Sequence, residues 1–312
     1  MRDERTRCCR GSHRAGRSSA RLADVIAIVG GLATAVLWAS TLLGSARSAR
    51  LIGSWSTLGW VMLVGLVVTI PLIAITSPPV ELTGEQIAYL TAAGLANSIG
   101  LLLVYTALQR GKVGVVGPIV STEGAIGATL AILAGDPVAG PTIALLALIA
   151  AGVALASFER RATPLEGDER PTVSAPVTAV IALGAAVLFG INLYATSRVA
   201  TDLPLAWTVL PARVAGVVLV TIPLVLMRRL RIVRPAVGVV VFVGLAEVLG
   251  TATYAFGSRD SAAIAAVLAS QFAAIAAIAA FFLFGERLNR VQIAGVVTIA
   301  IGVATLALLQ AL

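Results

Sequence analysis

From about residue 23 to the C-terminus the sequence runs in long apolar stretches with only brief interruptions. About 20 mainly apolar residues are what an α-helix needs to cross the hydrocarbon of a bilayer. The interruptions are SARSAR (45–50), SPPVELTGEQ (77–86), QRGK (109–112), GDPVAGP (135–141), FERRATPLEGDERPT (158–172), SRVATDLP (197–204), RRLRIVRP (228–235), GSRD (257–260) and GERLNR (285–290). Nine breaks predict ten spans, near 23–43, 55–76, 86–108, 113–134, 140–158, 175–196, 204–227, 236–256, 261–284 and 291–311. The expected fold is therefore all-α, a polytopic membrane protein with ten transmembrane helices. Only 12% of residues are charged, about half the share of a soluble domain. The runs are continuous, whereas β-barrel strands alternate over segments of about ten residues. No break is long enough to hold a soluble domain.

The second half echoes the first at a shift of about 150 residues. GLANSIG (94–100) falls on GLAEVLG (244–250), VTIPL (68–72) on VTIPL (220–224), and AVLWASTLLGSAR (35–47) on AVLFGINLYATSR (186–198). AGD (134–136) falls on FGE (284–286), and Gly152 on Gly302. Five matches in order, in corresponding spans, point to an internal duplication. The expected organisation is an Arg-rich tail (1–22), a first five-helix repeat (23–158), a polar linker (159–173) and a second repeat (174–312). Five is odd, so the second repeat enters the bilayer from the opposite side. Inverted duplication of this kind is the plan of many secondary transporters, whose substrate sites lie near the midplane between the repeats.

Three ionisable residues fall well inside spans: Glu123, within the run STEGAIG (121–127), Arg213 and Glu247. A charge at mid-bilayer costs roughly 2.5–3.5 kcal/mol on insertion scales, so each should face a cavity or a partner. A carboxylate in a low-dielectric site is a candidate proton carrier, and Glu247 is the first candidate for coupling. A fixed Arg suits a substrate carboxylate or phosphate. The bland alternative is that either acid pairs with Arg213 and locks two helices together. Gly124 and Gly127 leave room for close approach beside Glu123. Asn97, the repeat counterpart of Glu247, joins Asn192, Gln271, Ser121 and Ser270 as neutral polar candidates for substrate contact; interhelical hydrogen bonding is the competing use. Trp38 and Tyr194 are candidates to line a cavity. Tyr105 and Tyr254 lie near span ends and are read as interface aromatics. Gly295 and Gly302, seven residues apart on one helix face, are read as close packing.

Nothing in the chain resembles an enzyme's equipment. The only histidine, His13, lies in the tail, and Cys8 and Cys9 are adjacent there, without metal-site or disulfide spacing. Metalloprotease, nucleophile-elbow and phosphate-loop motifs are missing. No cofactor is expected. The tail's seven arginines read as a topology anchor beside anionic lipid rather than a nucleic-acid site. The expected partners are a small-molecule substrate, protons and the lipid bilayer. Inside termini put the seven tail arginines, Arg198 and Arg259 on the cytoplasmic side, against a larger number in the other loops. The density of the tail favours inside termini, and the loops alone favour the reverse. A lipid flippase, a channel-like permease or a non-transporting scaffold remain alternatives.

FGERLNRVQIAGVVTIAIGVATLAL (284–308) resembles the closing segment of an EamA repeat, in the drug/metabolite transporter superfamily, with Gly-Glu-Arg-Leu followed by Gln292, Gly295 and Gly302-Val303. ARVAGVVLVTIP (212–223) is similar to that family's seventh span, with Arg213 ten residues before Pro223, and LWAS (37–40) to the Trp-Gly-Ser opening of its first. The resemblance covers residues 23 to 311. It implies a ten-helix exporter or exchanger of small metabolites in the cell membrane, with both termini cytoplasmic. It also marks departures. Val61 stands at the first-repeat counterpart of the family Arg, GDPV (135–138) replaces the Gly-Glu-Arg-Leu turn, and Glu123 stands where the family has proline. Counting from the turns, the second-repeat counterpart of Glu123 is Ala273.

Overall fold

Residue type dictates helix here, because a backbone in hydrocarbon must satisfy its hydrogen bonds within its own segment. The structure, a computed structural model, describes residues 3–76, 79, 81–110, 113–136, 140–156 and 175–284, with 290, 291, 293–295, 297, 298, 301, 302 and 305 beyond. Every long regular element among these is helical: α1 (Asp3–Ile52), α2 (Ser54–Ile75), α3 (Gly84–Arg110), α4 (Val113–Val120), α5 (Glu123–Leu133), α6 (Gly140–Ala156), α7 (Ala175–Ala200), α8 (Leu205–Gly216), a π-helical turn (Val217–Thr221), α9 (Ile222–Leu226), α10 (Arg234–Ser258), α11 (Ala262–Ala269) and α12 (Phe272–Phe284). Among the described residues six helices are long and apolar enough to cross a membrane: Val25–Ile52, Ser54–Ile75, Gly84–Gln109, Val177–Ala200, Leu205–Leu226 and Arg234–Ser258. The linker 159–173, the turn Gly285–Arg287 and most of the expected tenth span lie outside the described residues.

The outer surface is built from large apolar side chains, among them Val67, Ile70, Val180, Leu183, Phe242 and Leu249, all exposed. Water would not tolerate so continuous an apolar coat, and lipid would. Inside, small residues let helices touch. The backbones of Gly30 on α1 and Gly257 on α10 meet so closely that a Cβ on Gly30 would come within 2.7 Å of Gly257 Cα. Buried hydroxyls turn back onto their own helices, as Thr34 Oγ1 donates to the Gly30 carbonyl at 2.8 Å and Thr69 Oγ1 to that of Gly65 at 2.7 Å. Hydroxyls satisfied in this way cost the apolar interior little. Gly302 packs on Ile149, in keeping with its reading as a packing residue.

Several expected boundaries move. SARSAR does not end the first helix: α1 continues to Ile52, and Gly53, at φ 85°, supplies the break. The expected fourth and ninth spans, 113–134 and 261–284, are each two helices. At the first break the Thr122 amide donates to the Ile119 carbonyl at 3.2 Å, and its hydroxyl donates to the same carbonyl at 2.7 Å. At the second, the Gln271 amide donates to Leu268, while Ser270 Oγ and Gln271 Nε2 both donate to the Val267 carbonyl, at 2.7 and 2.9 Å. Side chains that capture helix carbonyls compete with the regular ladder. A short polar pair in an apolar run thus divides each span.

The packing crosses the two halves. α1 lies chiefly against α10, and α3 against α7; α2 meets α10, and α3 meets α8; α1 meets α11 and α12, while α7 meets α5 and α4. The two broken segments also touch. Gly124, one residue into α5, sits so close to α11 that a Cβ there would fall 2.6 Å from the Ser270 Cβ and the Ala266 carbonyl oxygen.

Candidate functional site

Helical spacing on α1 and α3 builds two walls of one cavity. Trp38, Thr41, Leu42 and Ser45 recur at i, i+3, i+4 and i+7 on α1, and Asn97, Leu101, Val104 and Tyr105 at i, i+4, i+7 and i+8 on α3. Each set shares a helix face. Val120, Glu123, Phe189, Asn192, Glu247 and Phe272 complete the lining of the cavity. The breaks matter here: Glu123 is the first residue of α5 and Phe272 the first of α12, so both side chains line the cavity directly after a break.

Five of the ten candidates for substrate or ion contact named from sequence line this cavity: Trp38, Asn97, Glu123, Asn192 and Glu247. Arg213 lies behind it. Its side chain is wholly buried, with Nη2 3.7 Å from Glu247 Oε1 and donating to Thr251 Oγ1 at 3.3 Å. Gly65 makes room for its stem, since a Cβ there would meet the Arg213 Cδ at 2.7 Å. Of the two acids that could have paired with Arg213, Glu247 does so. No ion pair or hydrogen bond joins the side chain of Glu123, 2% exposed, to another described residue.

Gln271 and Tyr194 are elsewhere. Gln271 is buried at the second break, its amide turned back on Val267. Tyr194 faces one end of the helix bundle, edge-on to Tyr89 at 6.0 Å, with the Arg198 guanidinium 4.9 Å above its ring. There Arg198 Nη2 meets Asp136 Oδ1 at 2.6 Å. Gly135, at φ 96°, ends α5, and the Asp136 amide donates back to the Ala131 carbonyl, which presents the carboxylate to α7.

The reading of Tyr105 and Tyr254 as interface aromatics is corrected. Both are 1% exposed. Tyr105 lines the cavity, and Tyr254 donates to the Leu193 carbonyl at 2.8 Å while stacking on Trp38 at 6.2 Å. Closeness to a span end in sequence misled, because α3 runs on to Arg110 and α10 to Ser258. The periodic stripe from Asn97 is the signal that finds Tyr105. Phe189 and Phe272, also missed, look like ordinary core residues in an apolar run.

Three buried polar atoms on the cavity wall lack a hydrogen-bond partner: Trp38 Nε1, Asn97 Oδ1 and Tyr105 Oη. Buried polar atoms are rarely left so, and these three belong to residues around one space.

Residues 25–158 match the model of the EamA-like transporter family. No curated protein matches the sequence. Among 28 matching solved chains, one described as a crystal structure of a protein superposes with a TM-score of 0.68 at 18% identity, covering 94% of this chain and 98% of that one. At that identity the likeness concerns the fold alone. The family match and the apolar-coated helices lead to one conclusion: this is a multi-pass helical membrane protein whose residues 25–158 are similar to the EamA-like transporter family.

Proposed function

We propose that this protein is a secondary transporter of small metabolites, a proton-coupled exporter working by alternating access between two inverted five-helix repeats. The observation that carries the reading is the make-up of the cavity. Eight of its fourteen lining residues fall into pairs about 150 residues apart: Trp38 with Phe189, Thr41 with Asn192, Asn97 with Glu247, and Glu123 with Phe272. Such pairing supports the reading that positions matched between the halves share one space, the arrangement expected where two repeats rock about a common site. Aligning the two helix breaks pairs Glu123 with Phe272; Ala273, reached by counting from the turns, is buried one residue further on. The crossed packing of the halves supports the same plan. Discontinuous helices at a midplane site are a recurrent transporter device.

Glu247 is the proposed coupling residue. A proton on Glu247 would leave Arg213 without its counter-ion, so proton arrival alters the contact between α8 and α10. A pH gradient should drive uptake of a substrate, found by metabolite-library screening, into proteoliposomes, and Glu247→Gln should abolish the pH response. If Glu247→Gln and Glu123→Gln both leave pH-driven transport intact, the coupling proposal is wrong. Family members are transporters, in keeping with a non-enzymatic role. We place the protein in the cell membrane with both termini cytoplasmic; a C-terminal reporter active only outside the cytoplasm would reverse that orientation.

A further inference from the structure

The charges around the cavity do not balance. Arg213 touches the cavity-lining Glu247 but does not itself line the cavity, and it is already engaged by Glu247 and Thr251. An anionic guest would find no free cation among the described residues of the wall. Glu123 lines the same space, buried, with no ion pair among the described residues. It also occupies the first turn of α5, where the helix dipole favours negative charge. A buried, unpaired carboxylate is expensive unless something positive joins it.

The rest of the wall suits a cation with an apolar body. Trp38, Tyr105, Phe189 and Phe272 all line the space, and aromatic faces attract ammonium groups most strongly where water is excluded. Asn97 Oδ1 is an acceptor without a donor, free to receive an N–H. We infer that the cavity takes an organic monocation, a protonated or quaternary amine with an aromatic or aliphatic body, and that Glu123 is its counter-ion. As a statement about cargo this rests on the transport reading above; as a statement about binding it stands on the cavity.

The test uses the full chain, purified in detergent or nanodiscs, and two probes of similar size and opposite charge: benzyltrimethylammonium and phenylmethanesulfonate. Isothermal titration should show saturable binding of the cation and none of the anion. Glu123→Gln should weaken cation binding by roughly tenfold or more, the loss of one charge-assisted contact, while Glu123→Asp retains most of it. Unfolding curves of both variants check that they fold, and Asp keeps the charge where Gln does not. Equal binding of both probes, or cation binding unchanged in Glu123→Gln, overturns the inference. The two readings fail separately. Saturable cation binding without any gradient-driven flux would sink the transport reading alone. Gradient-driven flux of a neutral or anionic metabolite, with no cation bound, would sink this inference alone.

Discussion

Two arginines on successive helices meet acids in opposite ways. Arg198, on α7, lies 2.6 Å from Asp136 at one end of the bundle, with both side chains about a quarter exposed. Arg213, on α8, lies 3.7 Å from Glu247 in the interior, with side-chain exposures of 0% and 5%. The shorter contact is the weaker constraint. Water and salt screen the first pair, and partly exposed pairs of this kind contribute little. The second has nothing to screen it, so removing one partner strands a charge in a low dielectric. Distance alone ranks the two pairs wrongly; burial reverses the order.

Substitutions can break that ordering. Arg213→Ala leaves Glu247 buried and unpaired and should destabilise the protein by about 3–5 kcal/mol, read as a large fall in the thermal unfolding midpoint in detergent. Arg213→Met combined with Glu247→Leu removes both charges and should recover most of the loss, since apolar replacement of a buried pair is often close to neutral. A double variant no better than Arg213→Ala would show that the pair is not what the site depends on. Glu247→Gln keeps a polar group near Arg213 but leaves it without its counter-ion, and should cost no more than the roughly 3–5 kcal/mol of a broken buried pair. Arg198→Ala should cost only about 0.2–1 kcal/mol, as for an exposed pair, and its effect should shrink as salt rises, while that of Arg213→Ala should not. An Arg198→Ala loss equal to that of Arg213→Ala would overturn the comparison.

The same contrast explains which parts of the site were legible in the sequence. Glu123, Arg213 and Glu247 stood out because charge in an apolar run is anomalous whatever the fold. Asn97 stood out through its repeat relation to Glu247. Tyr194 looked equivalent to Asn192, two residues away, yet two residues on a helix turn a side chain through about 200°, and it faces Tyr89 and Arg198 instead of the cavity. The helix breaks were not legible either. Ser121-Thr122 and Ser270-Gln271 are mildly polar pairs that a regular helix could carry by turning their hydroxyls back. That they divide the helix depends on the neighbouring segment, which at Gly124 approaches too closely for any side chain.

Membrane residence and helical structure follow from composition and run length, because hydrocarbon leaves an apolar segment few ways to satisfy its backbone. The need for partners around three intramembrane charges follows as directly, from solvation energy alone. Which acid takes the arginine does not. Glu123 and Glu247 are equally buried carboxylates in sequence terms, and only the packing of α8 against α10 sets Arg213 beside Glu247 and leaves Glu123 to the cavity. Pairing is a matter of a few ångströms between helices distant in sequence, and those ångströms are set by tertiary contacts that no local pattern encodes.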